Sequence, residues 1–457
     1  MLVALFALLA LLPLWTYQVA AEGETLIVLA KFPAGSSAEL IVEPGAAPYL
    51  RELQLLSGSA AAPIALRGDS WLVPACAAKG CTLRYRFALG EAAGDLNTAD
   101  MAARYGELLE APPATWLLRP RSSGEARLRL RVTAAFVTGL PEVAPATWEL
   151  DARDLRLAPY SAFGKVSSRW LKVGAQRLQV AFAQAPRTAS EDAISEWVRA
   201  SAAAVAGYFG RLPVDGTLIL VLSSRGTETH GRTLGGGGAS VLLWLGDDLP
   251  AARLRDDWVL VHELVHTGFP YLDREHHWAE EGLATYLEPI ARVRAGSLAV
   301  AKFWADLLRG LPKGEPGPFD SGLDGTSNWG RTYWGGALFW LLADVRIRER
   351  TQGRWSLEDA LRGVLAAGGN ITSRWDFTRA LRIGDKSVGV AALEPLYQEM
   401  GKSAVRVDLS ALFAQLGVSL REGQVQFDDS ARLAGVRRAI TEPSAKARGG
   451  AGASVAH

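Results

Sequence analysis

His262 and His266 stand four residues apart with Glu263 directly after the first, and no other residues in the chain are better placed to do chemistry. On a helix, positions i and i+4 share a face, so both imidazoles can reach one metal ion. Glu263 is offset around the same helix, where a general base stands beside a metal-activated water. The chain has only six histidines, and Val261, Leu264 and Val265 supply an apolar setting for this pair. Zinc needs a third protein ligand before it leaves a position for water. A second helical stretch follows closely and can bring it, with His276, His277, Glu280 and Glu281 as candidates.

That second stretch reads Trp278-Ala279-Glu280-Glu281-Gly282-Leu283-Ala284-Thr285-Tyr286. Its Trp-x-x-Glu-Gly-x-Ala-x-Tyr pattern resembles the gluzincin metallopeptidases, specifically the glycyl aminopeptidase and aminopeptidase N families. A metzincin would carry glycine and then histidine where this chain has Phe269 and Leu272, so that reading fails. The resemblance implies that Glu281 is the third zinc ligand, fourteen residues (267–280) beyond His266, a shorter connection than is usual in the aminopeptidase N family. It leaves Glu280 as a solvated or supporting carboxylate. Further on, Tyr333-Trp334-Gly335-Gly336-Ala337-Leu338 is similar to the Tyr-x-x-Gly-Ala-Leu segment of the same families. There the tyrosine hydroxyl stabilises an oxyanion, which maps to Tyr333; a phenol donor suits a charge that develops only in the transition state.

Ahead of the metal motif lie four glycines, Gly235 to Gly238, and then an apolar strand from Ala239. Glycine permits close backbone approach, and the strand could be the edge with which an extended peptide pairs, so Gly237, Gly238, Ala239 and Ser240 are the candidate substrate-binding residues. A plain flexible hairpin is the competing reading. In the aminopeptidase N family this position carries a Gly-x-Met-Glu-Asn motif whose glutamate holds the substrate amino group. No glutamate stands among these glycines, so the amine anchor is unidentified.

These residues require helices and a sheet to hold them. Asp248 and Pro250 read as the start of the metal helix, and Gly268 with Pro270 as its stop. Residues 161–290 alternate strands and helices and are expected to form the small mixed sheet and motif helix of a thermolysin-like domain. Residues 291–440 are expected to be its helical C-terminal part, and 441–457 a disordered Ala/Gly/Ser tail. Residues 22–160 show short strands between turns, with Arg127 to Val132 alternating charged and apolar, as in a β-sandwich-like domain. The fold class is therefore α+β. No C-terminal PDZ domain, with which glycyl aminopeptidase members often end, is expected.

The apolar run from Leu2 to Trp15 has the length of a signal-peptide core, with small residues before Glu22, so residues 1–21 are expected to be a leader. Cys76 and Cys81 are the only cysteines, and in an oxidising compartment they would staple a short loop. An exported, periplasmic or secreted protein follows, with an uncleaved N-terminal anchor as the alternative. A net charge of +1 excludes an electrostatic nucleic-acid binder. The expected function is a zinc-dependent peptidase acting on peptides or proteins, an aminopeptidase by resemblance. An endopeptidase of the same fold, or a binding protein that keeps the fold without the chemistry, are the alternatives.

Overall fold

The computed structural model describes residues 12–122 and 124–442. Its N-terminal part is built on an eight-stranded sheet whose inner strands include Leu14–Glu22, Thr25–Phe32 and Cys81–Ala88. A three-stranded and a four-stranded sheet complete it. Leu40, Trp71, Leu109 and Phe163 from these smaller sheets share one core with Trp15, Tyr17, Val28 and Leu83 of the large sheet. This shared core is what makes the region sandwich-like. The Cys76–Cys81 disulfide is formed and closes a short loop before the strand Cys81–Ala88.

The strand Leu14–Glu22 corrects the expected leader. It pairs antiparallel with Thr25–Phe32 on one side and parallel with Arg127–Val132 on the other. Trp15, Tyr17 and Val19 point inward and are buried. A cut after Ala21 would remove an inner strand and open the sheet along its middle, so the boundary at 21 does not fit. Residues 1–11 of that leader, and 443–457 of the expected tail, lie outside the described residues. Thr441, expected in the tail, ends the helix Ala434–Thr441. Among the described residues, no helix is long and apolar enough to cross a membrane.

The second sheet has five strands in the order Val166–Val173, Gln176–Ala183, Leu218–Ser224, Ala239–Gly246, Thr229–Gly235. Its central strands are parallel and its flanking pairs antiparallel. Leu218 to Leu222 are fully buried, as a central parallel strand covered on both faces requires. The helix Glu191–Phe209 packs on it, started by Ser190, whose side chain accepts from the N–H of Ala193, and ended by Gly210 in the left-handed region. The remaining chain to residue 441 is mainly helical and joins the same core.

Candidate metal centre and its cleft

The helix that carries the two histidines is shorter than expected. Asp248 does not cap it: Pro250 precedes a separate turn, Ala251–Leu254, and the motif helix runs Val259–His266. Its first N–H groups are met by Asp257, whose carboxylate accepts from the N–H of Val259 at 2.8 Å. Starting the helix there leaves only two turns, and both histidines lie on them. The imidazoles of His262 and His266 have ring centroids 5.0 Å apart.

Glu281 comes from the next long helix, His277–Arg294. Its Oε2 lies 3.3 Å from His262 Nε2 and 3.8 Å from His266 Nε2. One donor atom from each of the three residues falls within 4.8 Å of the others. Donors at 2.0–2.2 Å from a tetrahedral zinc would sit about 3.4 Å from one another, so this set fits that ion. Burial alone would raise the Glu281 carboxyl, but His266, His262 and His277 outweigh it and pull it down to about 2. The carboxylate is therefore ionised, the state a zinc ligand requires.

Two of the other candidates for third ligand are engaged elsewhere, and the third stands at the rim. His276 turns away, and its Nδ1 lies 3.0 Å from Asp324. Glu280 accepts from the backbone N–H of Leu272 at 3.0 Å. His277 is exposed and flanks the site, with its Nε2 3.6 Å from Glu281 Oε1.

Tyr333 reaches the same place from a one-turn π-helix, Arg331–Gly335, that opens the helix Gly336–Arg350. Such single wide turns recur at functional sites because they re-aim side chains. Arg331 holds the turn from beneath: it is buried, paired with Asp320 at 2.9 Å, and donates to the carbonyl of Gly314. Burial raises the Tyr333 hydroxyl well above its ordinary range, and the Glu281 carboxylate raises it further, so the phenol keeps its proton. Two glycines explain why Glu281 and Tyr333 converge. A Cβ on Gly282 would lie 2.3 Å from Gly336 Cα, and one on Gly336 would lie 2.2 Å from the carbonyl oxygen of Trp278. The two helices cross backbone to backbone there, one residue after Glu281 and three after Tyr333.

Glu263 is buried and held by the sheet. The Thr233 hydroxyl donates to its carboxylate at 2.6 Å, and a Cβ on Gly231 would come within 2.4 Å of Glu263 Cγ. Both residues belong to Thr229–Gly235, which is the true edge strand. This corrects the expected substrate-binding set. Ala239 and Ser240 lie on the inner strand next to it and are fully buried. Gly238 packs against Gly139, Gly237 against Leu150, and the N–H of Ala239 donates to the Gly139 carbonyl. Ser240 accepts from the N–H of Tyr160. The glycine run thus lets the hairpin dock on the N-terminal part, and Gly231 to Leu234 line the cleft instead.

That cleft, of about 1380 Å³, contains His262, Glu263, His266, Glu281 and Tyr333 together. At the edge-strand end, Arg232 pairs with Asp100 of the N-terminal part at 2.8 Å. Behind them Glu110 is 0% exposed, and among the described residues neither of its carboxylate oxygens has a hydrogen-bond partner. Burial, then the charge of Asp100, raises its carboxyl well above the usual range. Sequence reading passed over Thr233, Asp100 and Glu110. The first sits two positions from a glycine on an alternating strand, which was the available signal; the other two carry none.

By sequence, no protein-family model and no curated protein matches the chain. Its fold is that of the zinc aminopeptidases with an N-terminal β domain and a helical C-terminal part. An aminopeptidase N family protein from Idiomarina loihiensis superposes with a TM-score of 0.67 at 13% identity, over 89% of this chain and 79% of that one. An M1 zinc metallopeptidase from Deinococcus radiodurans gives 0.53 at 16% identity, over 87% and 94%. Legionella pneumophila aminopeptidase A, solved with aspartic acid, gives 0.54 at 12% identity, over 86% of this chain and 49% of that one.

Proposed function

We propose that this protein is a zinc-dependent peptidase that removes residues from the free N-termini of peptides. The observation that carries the reading is the convergence of His262, His266 and Glu281 on one point, with Glu263 and Tyr333 in the same cleft. The neighbours in fold support it, since one is named an aminopeptidase and a mutant of another was solved with the tripeptide Tyr-Ser-Ala.

His262, His266 and Glu281 would hold the ion. Zinc bound there supplies Lewis acidity, which acidifies water and polarises a carbonyl. Glu263, fixed by Thr233, takes the proton of the attacking water and returns it to the departing amine. The Tyr333 hydroxyl, kept protonated by burial and by Glu281, donates to the oxygen that becomes negative.

The test uses one peptide set with free and acetylated N-termini, read by mass spectrometry, beside Glu263→Gln. Stepwise loss from free ends, falling by about 100-fold or more in the variant while zinc content holds, is expected. Internal cuts would make it an endopeptidase, and equal activity in the variant would sink the mechanism. We also propose that the protein acts outside the cytoplasm. The Cys76–Cys81 disulfide supports this, and the inner strand requires any processing to fall upstream of Leu14.

A further inference from the structure

Four rings form a row across the cleft. Trp329 stacks on Tyr333, with centroids 5.3 Å apart and planes at 27°. Tyr333 faces His262 at 6.4 Å and 17°, and Trp258 meets His262 edge-on at 5.4 Å and 86°. The two ends of the row are open: Trp258 is 50% exposed and Trp329 60%. Six tryptophans elsewhere are almost fully enclosed, so the chain does bury this side chain where folding needs it.

Neither open indole is explained by the fold. Trp258 stands just before the motif helix, but the capping bond there comes from Asp257. Trp329 precedes the π-turn, which Arg331, Asp320 and the Gly314 carbonyl already anchor. Several charged groups lining the same cleft are neutralised in pairs, Arg292 with Glu288, Lys302 with Asp306 and Arg232 with Asp100. Half-open indoles within a concave site mark where an apolar ligand group is received.

We propose that Trp329 and Trp258 are specificity-determining residues that receive a large apolar or aromatic side chain beside the scissile bond, Trp329 by stacking and Trp258 by walling the opposite end. The preferred substrates are then peptides with phenylalanine, tyrosine, tryptophan or leucine at that position. The inference rests on the peptidase reading above and deepens it.

The experiment compares kcat/KM for matched reporter amides of Phe, Leu, Ala, Asp and Lys. Wild type is expected to favour Phe over Ala by about 10-fold or more. That ratio should fall toward one in Trp329→Ala, through KM more than kcat, and recover in Trp329→Phe. Separately, L-Phe and L-Ala are titrated into zinc-loaded Glu263→Gln by calorimetry, where the Trp329→Ala change should erase the tighter binding of Phe. A wild type that prefers Ala, Asp or Lys, or a Phe:Ala ratio that neither Trp329→Ala nor Trp258→Ala alters, overturns the proposal while leaving the peptidase reading intact. Cleavage of no peptide, together with Trp329-dependent binding of Phe, would overturn the peptidase reading and keep the aromatic subsite.

Discussion

Two histidine–carboxylate clusters meet at the start of the helix His277–Arg294, and they differ in what surrounds the acid. Asp324 meets the donors of three side chains: His276 Nδ1 at 3.0 Å, Trp278 Nε1 at 2.9 Å and the Tyr397 hydroxyl at 2.8 Å. Three donors converge on that carboxylate, so it ties the loop 315–330 to two helices. Glu281 has imidazole nitrogens at 3.3 and 3.8 Å that converge with it on one point. Lone pairs aimed at a common space describe a ligand set, whereas lone pairs each capped by a donor describe a structural knot. Histidine and carboxylate at close range do not by themselves separate the two.

The contrast can be broken most forcefully at Glu281. Glu281→Ala should weaken zinc binding by more than about 100-fold in a chelator competition, with the thermal transition of the metal-free protein little changed. Unaltered affinity would return the third-ligand role to His277 or Glu280. Asp324→Asn should do the reverse, lowering stability by about 2–4 kcal/mol while zinc affinity stays within a few-fold.

The pH dependence of that loss sharpens the point. Burial alone would raise Asp324, but its three donors hold it below the usual carboxylate range. Burial would lower His276, but Asp324 holds it above the usual imidazole range. The Asp324 contribution is present above its unfolded pKa and lost as pH falls through the folded one. The His276 contribution is present below its unfolded pKa and lost as pH rises through the folded one. The gap in denaturation free energy between wild type and variant should therefore be widest between about pH 4 and pH 6.5 and narrow on both sides. A gap that grows steadily with pH would contradict the pairing. The smallest effect is expected at Thr233, a side-chain donor on Glu263: Thr233→Val should lower kcat about 5-fold with zinc binding unmoved. A larger loss confined to KM would place Thr233 against substrate instead.

Much of the site was legible because its spacings are local. The separation of His262 and His266 is a helical repeat, and Glu-Gly and Tyr-x-x-Gly each carry the glycine that the crossing at Gly282 and Gly336 demands. The α+β order of the chain was legible from the change in periodicity after residue 160. What escaped depends on pairing between distant segments. A glycine run signals close backbone approach without naming its partner, so Gly237 to Ser240 read as substrate contacts although their neighbours are Leu150, Gly139 and Tyr160. The boundary expected at residue 21 fails for a different reason. Leu2 to Trp15 reads as one apolar block, yet from Leu14 onward alternate residues face the core, a period of two that a leader does not need. Asp100 sits in the N-terminal part, and only the packing of the two parts brings it to the cleft.

The parallel pairing of Leu14–Val19 with Arg127–Val132 also has a consequence for biosynthesis. On the ribosome, the first inner strand emerges with Thr25–Phe32 close behind to cover one edge, but its other edge waits for a segment made more than a hundred residues later. Such a non-local contact is slow to form and leaves a hydrogen-bonding edge open in the meantime. The nascent chain is thus exposed to mispairing until the last strands of its N-terminal part have been synthesised, before any residue of the metal centre exists.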